Sequence, residues 1–194
     1  MSISCTDRNA LESFMKDNLK PSRYQHSLGV EKMAAKLAQV HGADVEKAAF
    51  AGRYHDIAKC FTDDRMNDYV RAYGLSGDYI NNNALAHSKV AAGILQKDFG
   101  VIDEDVLDAV KSHTTGRAGM SLLEEIVYVA DAIEENRNYE GIEELRDLAV
   151  SDLDEACLFI MDYTIDRINK LGRTLDRDTL EAREFIKERI MNGK

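Results

Sequence analysis

Gly52-Arg53-Tyr54-His55-Asp56-Ile57-Ala58-Lys59 sets an imidazole beside a carboxylate within a run that reads as helix from Asp44 through Lys59. A neutral imidazole and a carboxylate are both good ligands for borderline divalent metals. Neither pairs with a partner elsewhere in its own helix, and Lys59, one turn beyond His55, would repel a cation rather than bind it. The dipeptide therefore reads as one corner of a site that other segments must complete. Alone it carries little, since a single buried histidine is more often a hydrogen-bonded core residue.

The segments around it all read as helix. Residues 7–19 carry Leu11, Phe14, Met15 and Leu19 at helical spacing, and Pro21 suits a fresh start. A helix over 22–41 places Leu28, Met33, Ala34, Leu37 and Val40 on an apolar face and ends at Gly42. Thr62 caps a helix over 63–73 that Gly74 stops. A Gly/Ser/Asn-rich connection over 74–83 leads to a helix from Ala84 to Phe99, closed by Gly100, and Asp103 caps another reaching His113. After the loop Thr114-Thr115-Gly116-Arg117-Ala118-Gly119, Ser121 with Glu124 forms a capping-box signature for a helix through about Asn138. Gly141 breaks it and a short helix follows. Ser151 with Asp154 opens a helix over 152–171, Gly172 ends it, and a last helix covers about 178–191. No stretch alternates with period two. The expectation is an all-α protein, one domain over residues 1–194, with nine or ten helices and no internal repeat.

Composition narrows the class. A chain of 194 residues with 44% hydrophobic and 31% charged residues can bury a sizeable core without staples. One proline and 12 glycines fit long helices and few turns. No apolar run approaches the ~20 residues that span a bilayer, and Met1–Asp7 lacks the basic flank and apolar core of a signal peptide. Cys5, Cys60 and Cys157 show no CxxC spacing and read as reduced thiols of a cytoplasmic protein. The net charge of −10 disfavours nucleic acid and acidic membranes as partners. A small phosphorylated substrate stays open, because a metal and a few Lys or Arg can hold one phosphate chain.

The histidines give the second layer. His26, His55, His87 and His113 fall on four different predicted helices, and His41 stands apart at a helix C-terminus, where a cation suits the macrodipole. Asp131 interrupts the apolar run Val127-Tyr128-Val129-Ala130-Asp131-Ala132-Ile133, so its carboxylate is expected inside, paired or on a metal. With His26, His55 and Asp56 in view, a metal site becomes the stronger expectation. Lys59 is placed to reach a phosphate oxygen. Thr114, Thr115 and Gly116 offer hydroxyls and amides as a phosphate cradle. Arg137, six residues after Asp131 and close to two turns on, could clamp a phosphate bidentately or pair with Glu134 or Glu140.

These residues carry a family resemblance. His26, His55-Asp56 and Asp131 in that order resemble the HD superfamily of metal-dependent phosphohydrolases. Arg23…His26-Ser27, Ala86-His87-Ser88, His113-Thr114-Thr115-Gly116 and Ala130-Asp131-Ala132-Ile133-Glu134 are similar, more narrowly, to the symmetrical diadenosine tetraphosphatases. The likeness runs from about residue 10 to 187. It departs at Ala132 and Glu135, where that group usually has an aromatic and a proline.

The resemblance implies an HD-type helical bundle binding one or two divalent ions, iron first, with manganese, zinc or magnesium as alternatives. It implies His26, His55, Asp56 and Asp131 as primary ligands. His87 and His113 would complete a second metal position or face the substrate phosphates. His55, Asp56 and Lys59 would act in catalysis, and His26, Lys59, His87, His113, Thr114, Thr115, Gly116 and Arg137 would touch substrate. Such an ion acidifies a water ligand and neutralises phosphoryl oxygens. The implied reaction splits diadenosine tetraphosphate into two ADP. Asp178-Thr179 and Arg183 resemble an element closing over the nucleotide, although a capped amphipathic helix explains them too. A phosphatase of other nucleotides or alarmones, and a non-catalytic nucleotide sensor, are the alternatives. A homodimer is compatible with the sequence.

Overall fold

The computed structural model describes residues 6–193. Ten α-helices follow in order among them: α1 (Arg8–Asn18), α2 (Pro21–His41), α3 (Val45–Tyr54), α4 (Asp63–Tyr73), α5 (Asn83–Lys97), α6 (Glu104–Ser112), α7 (Leu122–Ile133), α8 (Ile142–Ser151), α9 (Leu153–Lys170) and α10 (Arg177–Met191). No strand occurs among the described residues. The caps expected at Thr62, Asp103 and Ser121 form, the last as a full capping box with Glu124. Cys60 and Cys157 are free thiols, whereas Cys5 and the first residues of the Met1–Asp7 stretch lie outside the described residues.

α2, α3, α6 and α7 pack on one another, α5 covers α6, and α9 lies across α7 between α8 and α10. Fully buried Leu37, Ile57, Ile94, Ile126 and Ile133 belong to one continuous hydrophobic core. Each contributes about 1.5–3 kcal/mol relative to an exposed side chain. The α2–α3 crossing is close because Gly52 has no side chain: a Cβ there would come 2.9 Å from the Val30 carbonyl oxygen. That contact brings the end of α3 against the middle of α2. No helix among the described residues is long and apolar enough to cross a membrane.

Several boundaries differ from expectation. α3 stops at Tyr54, and residues 55–60 wind as tight turns held by Ile57 N to Tyr54 O, Lys59 N to Asp56 O and Phe61 N to Ala58 O. His55 and Asp56 therefore sit just past a helix end, not within a helix. α7 stops at Ile133 rather than Asn138 because Arg146, from α8, donates to the carbonyls of Ile133, Glu134 and Arg137 at 2.9, 2.7 and 3.1 Å. Asp152, not Ser151, caps α9 through the amide of Glu155. On α2 the buried stripe runs through His26, Ser27, Gly29, Val30, Ala34 and Leu37, while Val40 is exposed. The stripe turned because α2 lays its polar His26 inward.

Candidate metal centre

His26 projects from the second turn of α2, His55 and Asp56 from the turn after α3, His87 from the start of α5, His113 from the end of α6 and Asp131 from the last turn of α7. All six meet. His26 Nε2 lies 2.9 Å from Asp131 Oδ1 and 4.0 Å from Asp56 Oδ2, and His55 Nε2 lies 3.4 Å from Asp56 Oδ2 and 3.8 Å from Asp131 Oδ1. On the other side of the same carboxylate, Asp56 Oδ1 lies 3.2 Å from His87 Nε2 and 3.4 Å from His113 Nε2. Asp56 and the four histidines are buried, and Asp131 is a quarter exposed.

Each imidazole is tied from behind through Nδ1. His55 Nδ1–H donates to Gly52 O at 2.7 Å, His113 to Val110 O at 2.7 Å and His87 to Asn83 O at 3.0 Å. His26 Nδ1–H donates to Glu134 Oε1 at 3.0 Å. A ring nitrogen that donates on one side leaves the other as a lone pair. Four Nε2 lone pairs thus face two carboxylates. His87 and His113 point theirs at one another across 3.2 Å. His26 Nε2, His55 Nε2 and Asp56 Oδ1 are buried without a hydrogen bond. Acceptors facing acceptors in a dry interior are costly unless a cation lies among them.

The spacing suits such a cation. Ligands about 2.1 Å from an ion stand about 3.0 Å apart along an octahedral edge, about 3.4 Å along a tetrahedral one and about 4.2 Å across a diagonal. The observed 2.9–4.0 Å separations fall in that range. Two overlapping sets could hold ions, His26 with His55 and Asp131, and His55 with Asp56 and His113. The field agrees. The C-terminal ends of α3, α6 and α7, which carry partial negative charge, all deliver residues to the centre.

Burial disfavours ionisation of Asp56, but His55, Lys59 and His113 outweigh it and hold the carboxyl well below its usual range. Asp131 behaves alike: burial opposes its charge, and contacts with His26 and His55 lower its pKa strongly. Burial also works against charge on His55, yet the Asp56 carboxylate outweighs it and raises its pKa above the ordinary histidine value. His113, where burial dominates, is pushed down to about 4 and stays neutral.

The flanking residues divide. Lys59 Nζ lies 2.9 Å from His87 Nε2 and 3.8 Å from Asp56 Oδ1, and Thr114 Oγ1 lies 3.1 and 3.2 Å from His87 and His113 Nε2. Thr115 does not reach the centre, because its buried hydroxyl donates to Gly116 O. Gly116 turns towards Met161 and Ala182, and its amide donates to Ser112 O. The expected three-residue cradle is therefore reduced to Thr114. Arg137 reaches Asp131 along the loop after α7 rather than by two helical turns, donating to Oδ1 at 2.9 Å and to the carbonyl at 3.0 Å. Arg183 pairs with Asp162 and Glu184 instead of facing the centre. His41 stays away too, with Nε2 2.7 Å from Ala149 O.

Two residues that the sequence offered only as parts of a motif also build the centre. Glu134, buried, holds His26 with one oxygen and accepts from the amide and side chain of Asn136 with the other. Its seat requires Gly29, where a Cβ would lie 2.2 Å from Glu134 Oε2. Arg23, one turn before His26, donates to Asp56 Oδ2 at 2.9 Å. The Arg23…His26 spacing was a usable signal for the second; nothing local marks the role of the first.

Comparison with known proteins fits this geometry. The profile described as HD domain matches residues 23–136. The chain belongs to the HD-domain family. Two relatives of this HD protein are named symmetrical bis(5'-nucleosyl)-tetraphosphatase. That of Bacillus subtilis is 39% identical over 85% of this chain and 89% of its own, and that of Halalkalibacterium halodurans 37% identical over 90% and 94%. A solved structure from Clostridium acetobutylicum, titled a predicted HD superfamily hydrolase involved in NAD metabolism, is 39% identical. It superposes with a TM-score of 0.88 over 93% of this chain and 97% of its own.

Proposed function

We propose that this HD protein hydrolyses diadenosine tetraphosphate into two molecules of ADP with the help of one or two divalent ions. The observation that carries the reading is the ring of four inward Nε2 lone pairs around two carboxylates, with three buried polar atoms lacking any hydrogen bond. The names of the relatives support the substrate. His26, His55, Asp56 and Asp131 would hold one ion, and His87 and His113 a second or the phosphates. The ion supplies an acidified water and charge neutralisation of phosphoryl oxygens. Mixed imidazole and carboxylate ligation suits iron, manganese or zinc alike, and it is the resemblance to HD phosphohydrolases that puts iron first.

The protein's own residues do the rest. Arg23 keeps Asp56 oriented towards His55. Lys59 and Thr114 flank the His87–His113 pair, where a non-bridging oxygen of a phosphate would sit. Arg137, about a third exposed beside Asp131, can fork onto the neighbouring phosphate. Water attacks the phosphorus beside the central bridging oxygen. The P–O bond to that oxygen breaks, one ADP leaves on it, and the other ADP retains the oxygen of the water. Positive charge from Lys59 and Arg137 meets the charge developing on the leaving group. One continuous core supports treating residues 1–194 as one domain. Free Cys60 and Cys157 suit a cytoplasmic setting, and the net charge of −10 argues against nucleic acid.

Incubation with diadenosine tetraphosphate and manganese or iron, followed by chromatography, should give ADP alone. ATP with AMP, or no turnover with the metal bound, would overturn the assignment.

A further inference from the structure

We propose that the cleft leading from the metal centre to Tyr139, Phe159, Tyr163 and Arg167 is a nucleoside subsite that stacks one adenine of the dinucleotide. The proposal rests on the hydrolase reading above. The cleft holds about 270 Å³ and is walled at its inner end by His113, Thr114 and Asp131. That is slightly below the roughly 300–1,000 Å³ of drug-sized sites, so it fits one nucleoside and not two. Phosphates at the centre would therefore lead one base directly into it.

The outer wall is built for a flat ring. Tyr139 and Tyr163 lie nearly parallel, with centroids 6.3 Å apart and planes 13° from one another. Tyr139 is fixed by its hydroxyl, which donates to Ala132 O at 3.0 Å. Tyr163 and Phe159 are one turn apart on α9 and stay 57% and 52% exposed, a large aromatic area left uncovered. Arg167 follows Tyr163 by another turn and lines the same cleft. Aromatic faces beside an arginine accept any base by stacking. Arg137 lies between this wall and Asp131 and lines the cleft as well. The order centre, Arg137, aromatic wall matches the order phosphate, phosphate, nucleoside in one half of the substrate.

The test compares ADP with inorganic pyrophosphate, a base-free probe, by calorimetric titration of the intact protein with manganese present. Wild type should prefer ADP. Tyr163→Ala should weaken ADP by about tenfold, the low end of base stacking, and keep pyrophosphate within about twofold, while Tyr163→Phe should bind ADP like wild type. No preference for ADP in wild type, or equal weakening of both probes in Tyr163→Ala, would overturn the subsite. So would unchanged ADP binding in Tyr163→Ala and Phe159→Ala, including the case where these variants only split a dimer in sedimentation. A wild type that binds ADP in this way but does not cleave diadenosine tetraphosphate would sink the hydrolase reading and leave the base contact standing.

Discussion

Arg53 and Asp56, three residues apart at the end of α3, are each the hub of a polar cluster inside the same bundle. Around Arg53 the charges answer one another. Its Nε and one terminal nitrogen donate to Glu12 at 3.1 and 2.7 Å, the other donates to Glu31, and Glu12 also accepts from Tyr24 and meets Lys16 at 3.3 Å. Around Asp56 the lone pairs and carboxylate oxygens outnumber the donors, and three buried atoms have no hydrogen bond. The first cluster needs nothing from outside. The second is complete only with a cation. The balance of donors and acceptors separates a cluster that fastens helices from one that binds.

The sharpest way to break this contrast is to empty the incomplete hub. Asp56→Ala should reduce turnover to background and abolish the rise in thermal midpoint that manganese gives wild type, about 2.7 kcal/mol at a hundredfold excess over Kd. Far-UV helicity should remain. A variant that still binds metal and turns over would remove the distinction. Breaking the balanced hub should do the opposite. Arg53→Met leaves Glu31 unpaired and Glu12 with Tyr24 and Lys16 alone, and should cost about 1 kcal/mol in urea unfolding, with metal stoichiometry unchanged. Loss of metal in that variant would mean that the two clusters are one.

Glu134→Gln sharpens the line between them, because Glu134 belongs to the centre without pointing at its middle. An outer partner of a ligand histidine is worth about 10–100-fold in metal affinity, measurable by competition with a chelator; an unchanged affinity would make Glu134 a loop anchor only. The smallest effect concerns acid. Burial raises the pKa of Glu12, but Tyr24 and Arg53 outweigh it, so the folded value lies below the ordinary 4.5. Its stabilisation is present above about pH 4.5 and fades as pH falls through the folded value. The difference in urea midpoint between wild type and Glu12→Gln should therefore be constant near neutrality and close towards pH 3. A difference that grows on acidification would contradict the pairing.

Sequence patterning conveyed the helical class and most helix positions because caps and apolar spacing are local signals. Thr62, Asp103, Ser121 and the glycines after α2 and α4 act within a few residues of themselves. The end of α7 was not legible, since Arg146 enforces it from another helix. The site followed the same division. Asp131 could be picked out because a carboxylate interrupts an apolar run, and His26, His55, Asp56, His87 and His113 because their order resembles a family motif. Thr115 was misjudged because a hydroxyl's direction depends on backbone geometry, here towards Gly116 O. Glu134 was invisible as a positioning residue because its role depends on Gly29, over a hundred residues away.

The Nδ1 anchors that brace four imidazoles from behind have a consequence for loading. A socket whose walls are already set does not wait for its guest to shape it, so the ordering of four rings belongs to folding and not to capture of the ion. Stripping the ion should leave an intact, helical and re-loadable protein. Which metal occupies the seat then follows cellular supply and ionic radius, and exchange can proceed without the chain unravelling.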